Sequence, residues 1–334
     1  MAAYTSIDDP SSVFQCTLYS GTGSQQSITN GGNSDLQPDF LWIKERTGTS
    51  SHQLVDSVRG FHLRLESDNT SAELDAGQAG ATNQNVTSFD SDGFGVKNGA
   101  AVNESGETYV AWQWKETAGV FDIVTYTGND TTRTISHSLG VIPKMIWVKE
   151  RANANSWHVY NETLGNTKHL YLNTTHAAQT SSAMWNNTSP TSSVFTVSGE
   201  TQVNRDGGTI IAYLFGDKQG VSKVGSYIGN GNADGPVLHC GFSPAFLLVK
   251  RSGDGTDDWT ILDNKRPGYN LVNKALYPNG NWAEGTGTVL DFLSTGVKFR
   301  SNAAPYNASG ATYIFMAFAF QPFVTSTGVP ATAR

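Results

Sequence analysis

The chain is poor in cysteine, methionine, proline and charge. Its 334 residues include two cysteines, four methionines and eleven prolines, and charged side chains make up 15% of the total. Two cysteines, Cys16 and Cys240, exclude a disulfide framework, and we expect two separate buried thiols. A net charge of −7 offers no basic footprint for phosphates. This charge argues against binding to nucleic acid or to an anionic membrane.

Long apolar runs and catalytic signatures are also missing. The longest apolar run, Tyr313–Phe320, has the length of a strand, whereas a membrane-spanning helix needs about 20 residues. No Walker loop, HExxH, GxSxG or CxxC pair occurs, so the motifs for nucleotide, zinc, acyl-transfer and redox chemistry are absent. We therefore expect no membrane insertion, no cofactor, no metal and no enzymatic activity.

The residue types that are abundant in the chain are typical of β-structure. Glycine alone contributes 35 residues, and serine, threonine and asparagine are abundant. Thr, Val, Tyr and Trp favour pleated surfaces, while Gly and Asn supply the positive φ angles of turns. This composition is unfavourable for long helices.

A self-similar pattern runs along the whole chain. The motif Pro38–Arg46 recurs at Pro143–Arg151 and, with more changes, at Pro244–Lys250, with spacings of 105 and 101 residues. A second apolar motif closes each copy, and its three occurrences align on Ala111, Ala212 and Ala317. This period is too long for a solenoid repeat of roughly 20–50 residues. It predicts three tandem domains, at residues 1–118, 119–220 and 221–334, the first with an N-terminal arm and the last with a C-terminal tail.

Within one copy, short strands alternate with Gly-rich turns. The strongest strands, Phe40–Lys44 and Met145–Lys149, are apolar at nearly every position, which indicates a strand covered on both faces. We expect Trp42, Trp147 and Leu248 to be equivalent, and the lysine that ends each strand to reach solvent. Six to eight short strands per copy predict an all-β protein of three antiparallel β-sandwich repeats of about 100 residues. A closed up-and-down barrel is the alternative for each copy.

Two loop tryptophans are candidate ligand-binding residues. Trp185 and Trp282 are expected in equivalent late loops of the second and third copies and lie beside asparagine and acidic residues. Flat aromatic rings in such surroundings suit stacking against a carbohydrate. A tryptophan repeated at one position can equally close the end of a sandwich.

Several sequence segments resemble those of one known family. They are Ile7–Gln15, Pro38–Lys44, Ser51–Gly60, Ser88–Phe94 and Tyr109–Lys115. They are similar to an uncharacterised repeat of virion proteins from tailed bacteriophages, largely marine, often labelled fibre or tail proteins. The resemblance covers almost the whole chain and carries no established catalytic residues.

The resemblance implies a non-enzymatic structural protein on the exterior of a tailed-phage virion. Such a protein is assembled in the bacterial cytoplasm, which is consistent with the absence of a leader, and decorates the capsid or contributes to a tail fibre. Its expected partners are other virion proteins, copies of itself and a host surface glycan. We expect the arm Met1–Ser12 and the tail Gln321–Arg334 to provide the docking contacts. A glycan-binding adhesion module and a polysaccharide depolymerase are the alternatives.

Overall fold

The structure is built almost entirely from antiparallel strands, which confirms the predicted all-β class. The computed structural model describes residues 4–77 and 85–331. Helical segments in this part of the chain are single turns: a 3-10 turn at Pro10–Ser12, α1 (Ala100–Asn103), α2 (Thr201–Asn204) and α3 (Ala304–Asn307). No helix among the described residues has the length and apolar character to cross a membrane.

The strands fall into three consecutive sets, and we call residues 1–118, 119–220 and 221–334 units 1, 2 and 3. Unit 1 contains β1 (Phe14–Ser20), β2 (Gln26–Thr29), β3 (Phe40–Glu45), β4 (Gln53–Asp56), β5 (Leu63–Arg64), β6 (Leu74–Asp75), β7 (Val86–Asp90), β8 (Gly93–Val96) and β9 (Thr108–Trp114). Unit 2 contains β10 (Phe121–Thr127), β11 (Arg133–Ser136), β12 (Met145–Glu150), β13 (His158–Asn161), β14 (Lys168–Tyr171), β15 (Gln179–Thr180), β16 (Val194–Val197) and β17 (Thr209–Phe215). Unit 3 contains β18 (Ser222–Ile228), β19 (Val237–His239), β20 (Phe242–Arg251), β21 (Thr260–Asp263), β22 (Val272–Ala275), β23 (Gly285–Phe292), β24 (Gly296–Phe299) and β25 (Thr312–Pro322).

The main sheets of the three units have the same strand order. They run β1-β9-β3-β4, β10-β17-β12-β13 and β18-β25-β20-β21, and the second continues through β14 and β15. Smaller sheets, β2-β8-β7, β11-β16 and β19-β24-β23-β22, complete the units. In each main sheet the first and last long strands of the unit pair directly, so the two ends of a unit lie side by side.

Trp42, Trp147 and Leu248 occupy corresponding places in these sheets. Each pairs with the closing strand of its unit, at Trp112, Tyr213 and Met316 respectively. The predicted alignment of the closing motifs on Ala317 is wrong by two residues, because Phe315 is the residue opposite Val249. A slip of two residues leaves the same side chains on the same face, and a run as uniformly apolar as Tyr313–Phe320 provides no polar residue to fix the register.

Both faces of each main sheet are buried, but against different partners. One face carries Phe40, Trp42, Met145, Trp147, Phe246 and Leu248 into a single core shared by all three units. The other face packs against the smaller sheet of its own unit, in separate clusters around Leu41, Ile146 and Leu247. The shared core is rich in rings, with centroid separations of 5.6 Å between Trp42 and Trp147 and 5.2 Å between Phe14 and Phe318.

A buried asparagine at the end of each short helix fastens a hairpin to its unit. The side-chain oxygens of Asn103, Asn204 and Asn307 accept backbone N–H groups of the first hairpin at 2.9, 3.1 and 2.7 Å. Their amide nitrogens donate to carbonyl oxygens of the same hairpins. All three side chains are buried, so the hydrogen bonds stabilise turns that would otherwise leave backbone groups unpaired.

Candidate functional site: contacts that join the units in a ring

One hydrogen bond occurs at all three junctions between units. An aromatic N–H donates to a backbone carbonyl of the neighbouring unit, from Trp157 to Glu66 and from Trp259 to Tyr171, each at 2.8 Å. At the third junction His52 Nε2 lies 2.9 Å from the carbonyl of Tyr277. Unit 2 thus binds unit 1, unit 3 binds unit 2, and unit 1 binds unit 3, which closes a ring.

A second, backbone contact follows the same ring. The N–H groups of Glu73, Ala178 and Glu284 donate to the carbonyls of Arg151, Ser252 and Arg46 at 2.7, 3.0 and 2.8 Å. At two junctions the side chains of the same residues also pair. Arg151 holds Glu73 at 2.9 and 2.6 Å, and Arg46 holds Glu284 at 3.0 and 3.1 Å. Bidentate arginine–carboxylate pairs of this kind fix orientation as well as supplying energy.

Each of these carboxylates also contacts a buried arginine of its own unit. Arg59 Nη1 lies 2.7 Å from Glu73, and Arg266 Nη1 lies 3.3 Å from Glu284. Both arginines are braced by an aspartate three residues earlier, Asp56 or Asp263, at 2.5 and 2.6 Å. The aspartates continue the contact into the core, because Tyr213 donates to Asp56 and Trp112 donates to Asp263.

At the junction of units 2 and 3 this charged set is replaced as a whole. Asn161 and Leu164 stand at the positions of Asp56 and Arg59, and Ala178 and Ser252 stand at those of Glu73 and Arg151. Leu164 and Ala178 pack against the shared core instead. The charged set and the apolar set thus fill equivalent positions at different junctions.

The lysines that end the strong strands do not reach solvent, contrary to expectation. Lys44, Lys149 and Lys250 are fully buried, and burial lowers the pKa of each to about 8. Lys149 donates to Thr70 of unit 1, and Lys250 donates to Thr175 of unit 2. The neighbouring unit thus contacts Lys149 and Lys250, which the sequence of one isolated sandwich cannot reveal.

The structure places the two candidate tryptophans in different environments. Trp185 is 2% exposed, lies against Tyr160 inside unit 2, and donates its indole N–H to the carbonyl of Lys168 at 3.0 Å. Trp282 is 49% exposed and meets Tyr277 edge to face at 5.7 Å. Only Trp282 leaves ring surface for a ligand, whereas Trp185 closes the end of its sandwich.

One carboxyl pair has the composition of an acid–base site but not its spacing. Glu116 hydrogen-bonds Asp122, and burial together with the charges of Asp39 and Asp122 raises the pKa of Glu116 to about 7. A glycosidase needs its carboxyl groups about 5 Å or more apart, with the sugar between them. Direct contact leaves no such space. Asp217 and Lys223, an ion pair at 2.6 Å, occupy the corresponding link between units 2 and 3, so the position braces a linker.

The described parts of the arm and the tail pack on the body and on each other. The Tyr4 hydroxyl donates to the Gly241 carbonyl at 2.8 Å, and the Tyr4 ring lies 5.9 Å from that of Phe323. Asp8 accepts from both the backbone N–H and the hydroxyl of Ser326. These segments therefore help to join units 1 and 3, and contacts to a partner stay a prediction.

The ring of contacts was not predicted, although the sequence carries a signal for it. Arg46 and Arg151 recur in the repeated motif, and the third copy lacks them. The acidic partners recur at Glu73 and Glu284 and are lost at Ala178. The arginine is lost in unit 3 and the glutamate in unit 2. The two losses therefore coincide only when the acidic position of each unit is paired with the arginine position of the next unit around a ring.

The comparisons with known proteins identify a family without a described activity. The model of a domain of unknown function, DUF7483, matches residues 9–322. No curated protein matches the sequence. Among the described residues, no group of three or more His, Cys, Asp or Glu side chains is placed to hold a metal ion. Since the match spans nearly the whole chain, the protein belongs to the DUF7483 family.

Proposed function

We propose that the protein is a non-enzymatic structural component on the exterior of a tailed-phage particle, with the shape of a compact decoration module. The observation that carries this proposal is the contact from unit 3 back to unit 1. In an elongated array each repeat contacts only its neighbours along the chain. Here Arg46 and Trp112 of unit 1 bind Glu284 and Asp263 of unit 3, so the chain forms a closed body instead of a shaft.

The chemistry of the body supports the same proposal. Polar contacts that recur between the units serve their junctions, and the close carboxyl pair of Glu116 and Asp122 braces a linker. Resemblance of the sequence to phage virion proteins supplies the location. The partners are then other proteins of the capsid or tail and further copies of this chain, bound through the outer surfaces of the ring.

Labelling of purified particles tests the location. Antibody raised against the recombinant protein, detected by electron microscopy of intact particles, should decorate the head or the tail tube at many sites. Quantitative mass spectrometry of the same particles should find the chain at a copy number that matches a repeated lattice position. Label confined to fibre tips favours the adhesive role, and absence of the chain from purified particles overturns the proposal.

A glycan-binding role on the host surface is the second candidate, and Trp282 is the observation that favours it. Its half-exposed ring beside Tyr277 is a suitable platform for the apolar face of a sugar. Fluorescently labelled protein should bind host cells, and Trp282→Ala should abolish that binding while Trp185→Phe preserves it. Equal binding by both variants removes this candidate.

A further inference from the structure

Unit 1 carries a polar recess between its main sheet and α1. Its volume is about 190 Å³, and it opens to the surface beside α1. The floor is formed by Gln53 and Asn85, which are 1% and 2% exposed, together with Arg64. Ser50, Glu66 and Ala101 also line the recess.

The floor of the recess is ordered by hydrogen bonds that leave two polar atoms unpaired. Gln53 Oε1 accepts from Arg64 Nη1 and from Asn85 Nδ2, each at 3.0 Å. Within the described part of the chain, the buried atoms Asn85 Oδ1 and Arg64 Nε have no hydrogen-bond partner. An unpaired buried polar atom is unfavourable, and both atoms belong to residues that line the recess, so a ligand that pairs with this acceptor and this donor would gain affinity.

The corresponding place in unit 2 is filled by rings. His158 stands where Gln53 does, opposite Val148 and Ile43 respectively. His169 and Tyr171 follow on the neighbouring strand, with ring centroids 5.3 and 5.1 Å from that of His158. The scaffold therefore tolerates a closed version of this site, and the open polar version in unit 1 is not required by the fold.

We infer that this recess binds a single neutral saccharide residue or a similar polyol. A hydroxyl group both donates and accepts, so two neighbouring hydroxyls can pair with Asn85 Oδ1 and Arg64 Nε together. Glu66 accepts from a third hydroxyl, and Ala101 packs on the C–H face of the ring. The volume equals that of about six water molecules, which suits one sugar ring and is below the usual range for larger ligands.

Other ligand classes fit less well. The carboxylate of Glu66 lies 3.9 Å from the Arg64 guanidinium, so the arginine charge is offset and the recess offers an anionic ligand no net attraction. None of the described residues that line the recess is aromatic, and nucleobase sites rely on such rings for stacking. A neutral ligand rich in hydroxyls is the class that remains.

Saturation-transfer NMR tests the inference on the whole isolated chain, wherever the protein resides in the particle. The probes are the methyl glycosides of glucose, galactose, mannose, rhamnose and N-acetylglucosamine. At least one should show saturation transfer, and Asn85→Ala should weaken its binding by about tenfold, the loss expected for a hydrogen bond to a buried group.

The triple variant Gln53→His, Arg64→His and Glu66→Tyr separates binding from folding. It places in unit 1 the side chains that unit 2 already accommodates, so it should fold, as checked by thermal unfolding, and should lose saturation transfer completely. Tyr171→Phe in unit 2 is the matched control and should bind as the wild type does. No transfer from any glycoside, or transfer that survives the triple variant, overturns the inference and assigns the recess to water alone.

Discussion

The three junctions of the ring differ in chemistry although they share one geometry. The junctions of units 1 and 2 and of units 3 and 1 each contain a bidentate arginine–glutamate pair braced by a buried arginine. The junction of units 2 and 3 has none of these charges and packs Leu164 and Ala178 against the core. The backbone hydrogen bond is the same in all three cases.

This comparison separates the contacts that hold the ring together from the contacts that can be exchanged. A buried charged network can often be exchanged for apolar groups of similar volume with little change in stability, whereas the loss of one partner is costly. The junction of units 2 and 3 is an example of the complete exchange within the same molecule. The core and the backbone contacts therefore define the ring, and the charged pairs are one of two sets of side chains that can complete a junction.

The largest effects should come from the core side of the junctions. Trp42→Ala and Trp147→Ala should each lower the free energy of unfolding by about 3–5 kcal/mol, and Leu248→Ala by about 2–5 kcal/mol. All three side chains are fully buried in the core shared by the units, so urea unfolding should show one transition in every variant. Losses below about 1 kcal/mol would show that the shared core does not hold the ring.

Removal of one carboxylate should affect only the charged junctions. Glu73→Ala and Glu284→Ala should each cost about 2–4 kcal/mol, slightly less than for a fully buried pair, because their side chains are 14% and 7% exposed. Ala178→Ser at the uncharged junction is the control and should change stability by less than about 0.5 kcal/mol.

A combined exchange sharpens this test. Glu73→Ala together with Arg151→Ser, Arg59→Leu and Asp56→Asn introduces the residues found at the junction of units 2 and 3. Most of the stability lost in Glu73→Ala should return, because no buried charge is left without a partner. A combined variant that is less stable than Glu73→Ala would contradict the equivalence of the two chemistries.

Acid should weaken the junction of units 3 and 1 through His52. Burial, with a contribution from Lys44, lowers the pKa of His52 to about 3, and its Nδ1 accepts from Trp42 Nε1 at 2.8 Å. The unfolded chain binds the proton first, near pH 6.5, so the contribution of neutral His52 is complete above that pH and is lost as the pH falls towards 3. The loss at pH 5 is about 2 kcal/mol.

His52→Gln isolates this contribution from those of the other histidines. Glutamine can accept from Trp42 and donate to Tyr277 without titrating. Urea unfolding at pH 7 and pH 5 should therefore show a smaller loss of stability for the variant than for the wild type. Equal losses would mean that His52 does not control the acid sensitivity of this junction.

The smallest effect should appear in thiol reactivity. Both cysteines are free and buried, and Cys16 lies in a cleft that Ala245 of unit 3 also lines. The denatured, unreduced protein should titrate as two thiols. In the native protein, Glu284→Ala should speed the labelling of Cys16 severalfold, whereas Glu73→Ala at the other charged junction should not. Equal rates in both variants would show that the cleft opens independently of the Arg46–Glu284 pair.

Several features of the fold could be predicted from single motifs. Positions 40–43 of β3 and 145–148 of β12 are buried, as their uninterrupted apolar sequences indicated. The places of Trp42, Trp147 and Leu248 followed from the spacing of the motif alone. Asn103, Asn204 and Asn307, each three residues before a glycine, carried a similar signal that was not used.

The arrangement of the units could not be predicted, because a strand with two apolar faces does not reveal what covers each face. Trp42 and Leu41 are equally buried, yet one faces the other units and the other faces its own. The inward direction of Lys149 depends on Thr70, a residue of another unit. Likewise the sequence around Trp185 does not distinguish a ring that closes a sandwich from one that binds a ligand.

The contact of His52 with Tyr277 sets an order of events during synthesis. A ribosome releases unit 1 long before unit 3, so His52, Trp112 and Arg46 wait for partners that have not yet been translated. Until then the aromatic face of β3 and β9 is exposed to solvent and can bind chaperones or another nascent chain. This face is therefore fully covered only when unit 3 has been synthesised. Premature termination leaves a fragment that binds other chains instead of a smaller functional protein.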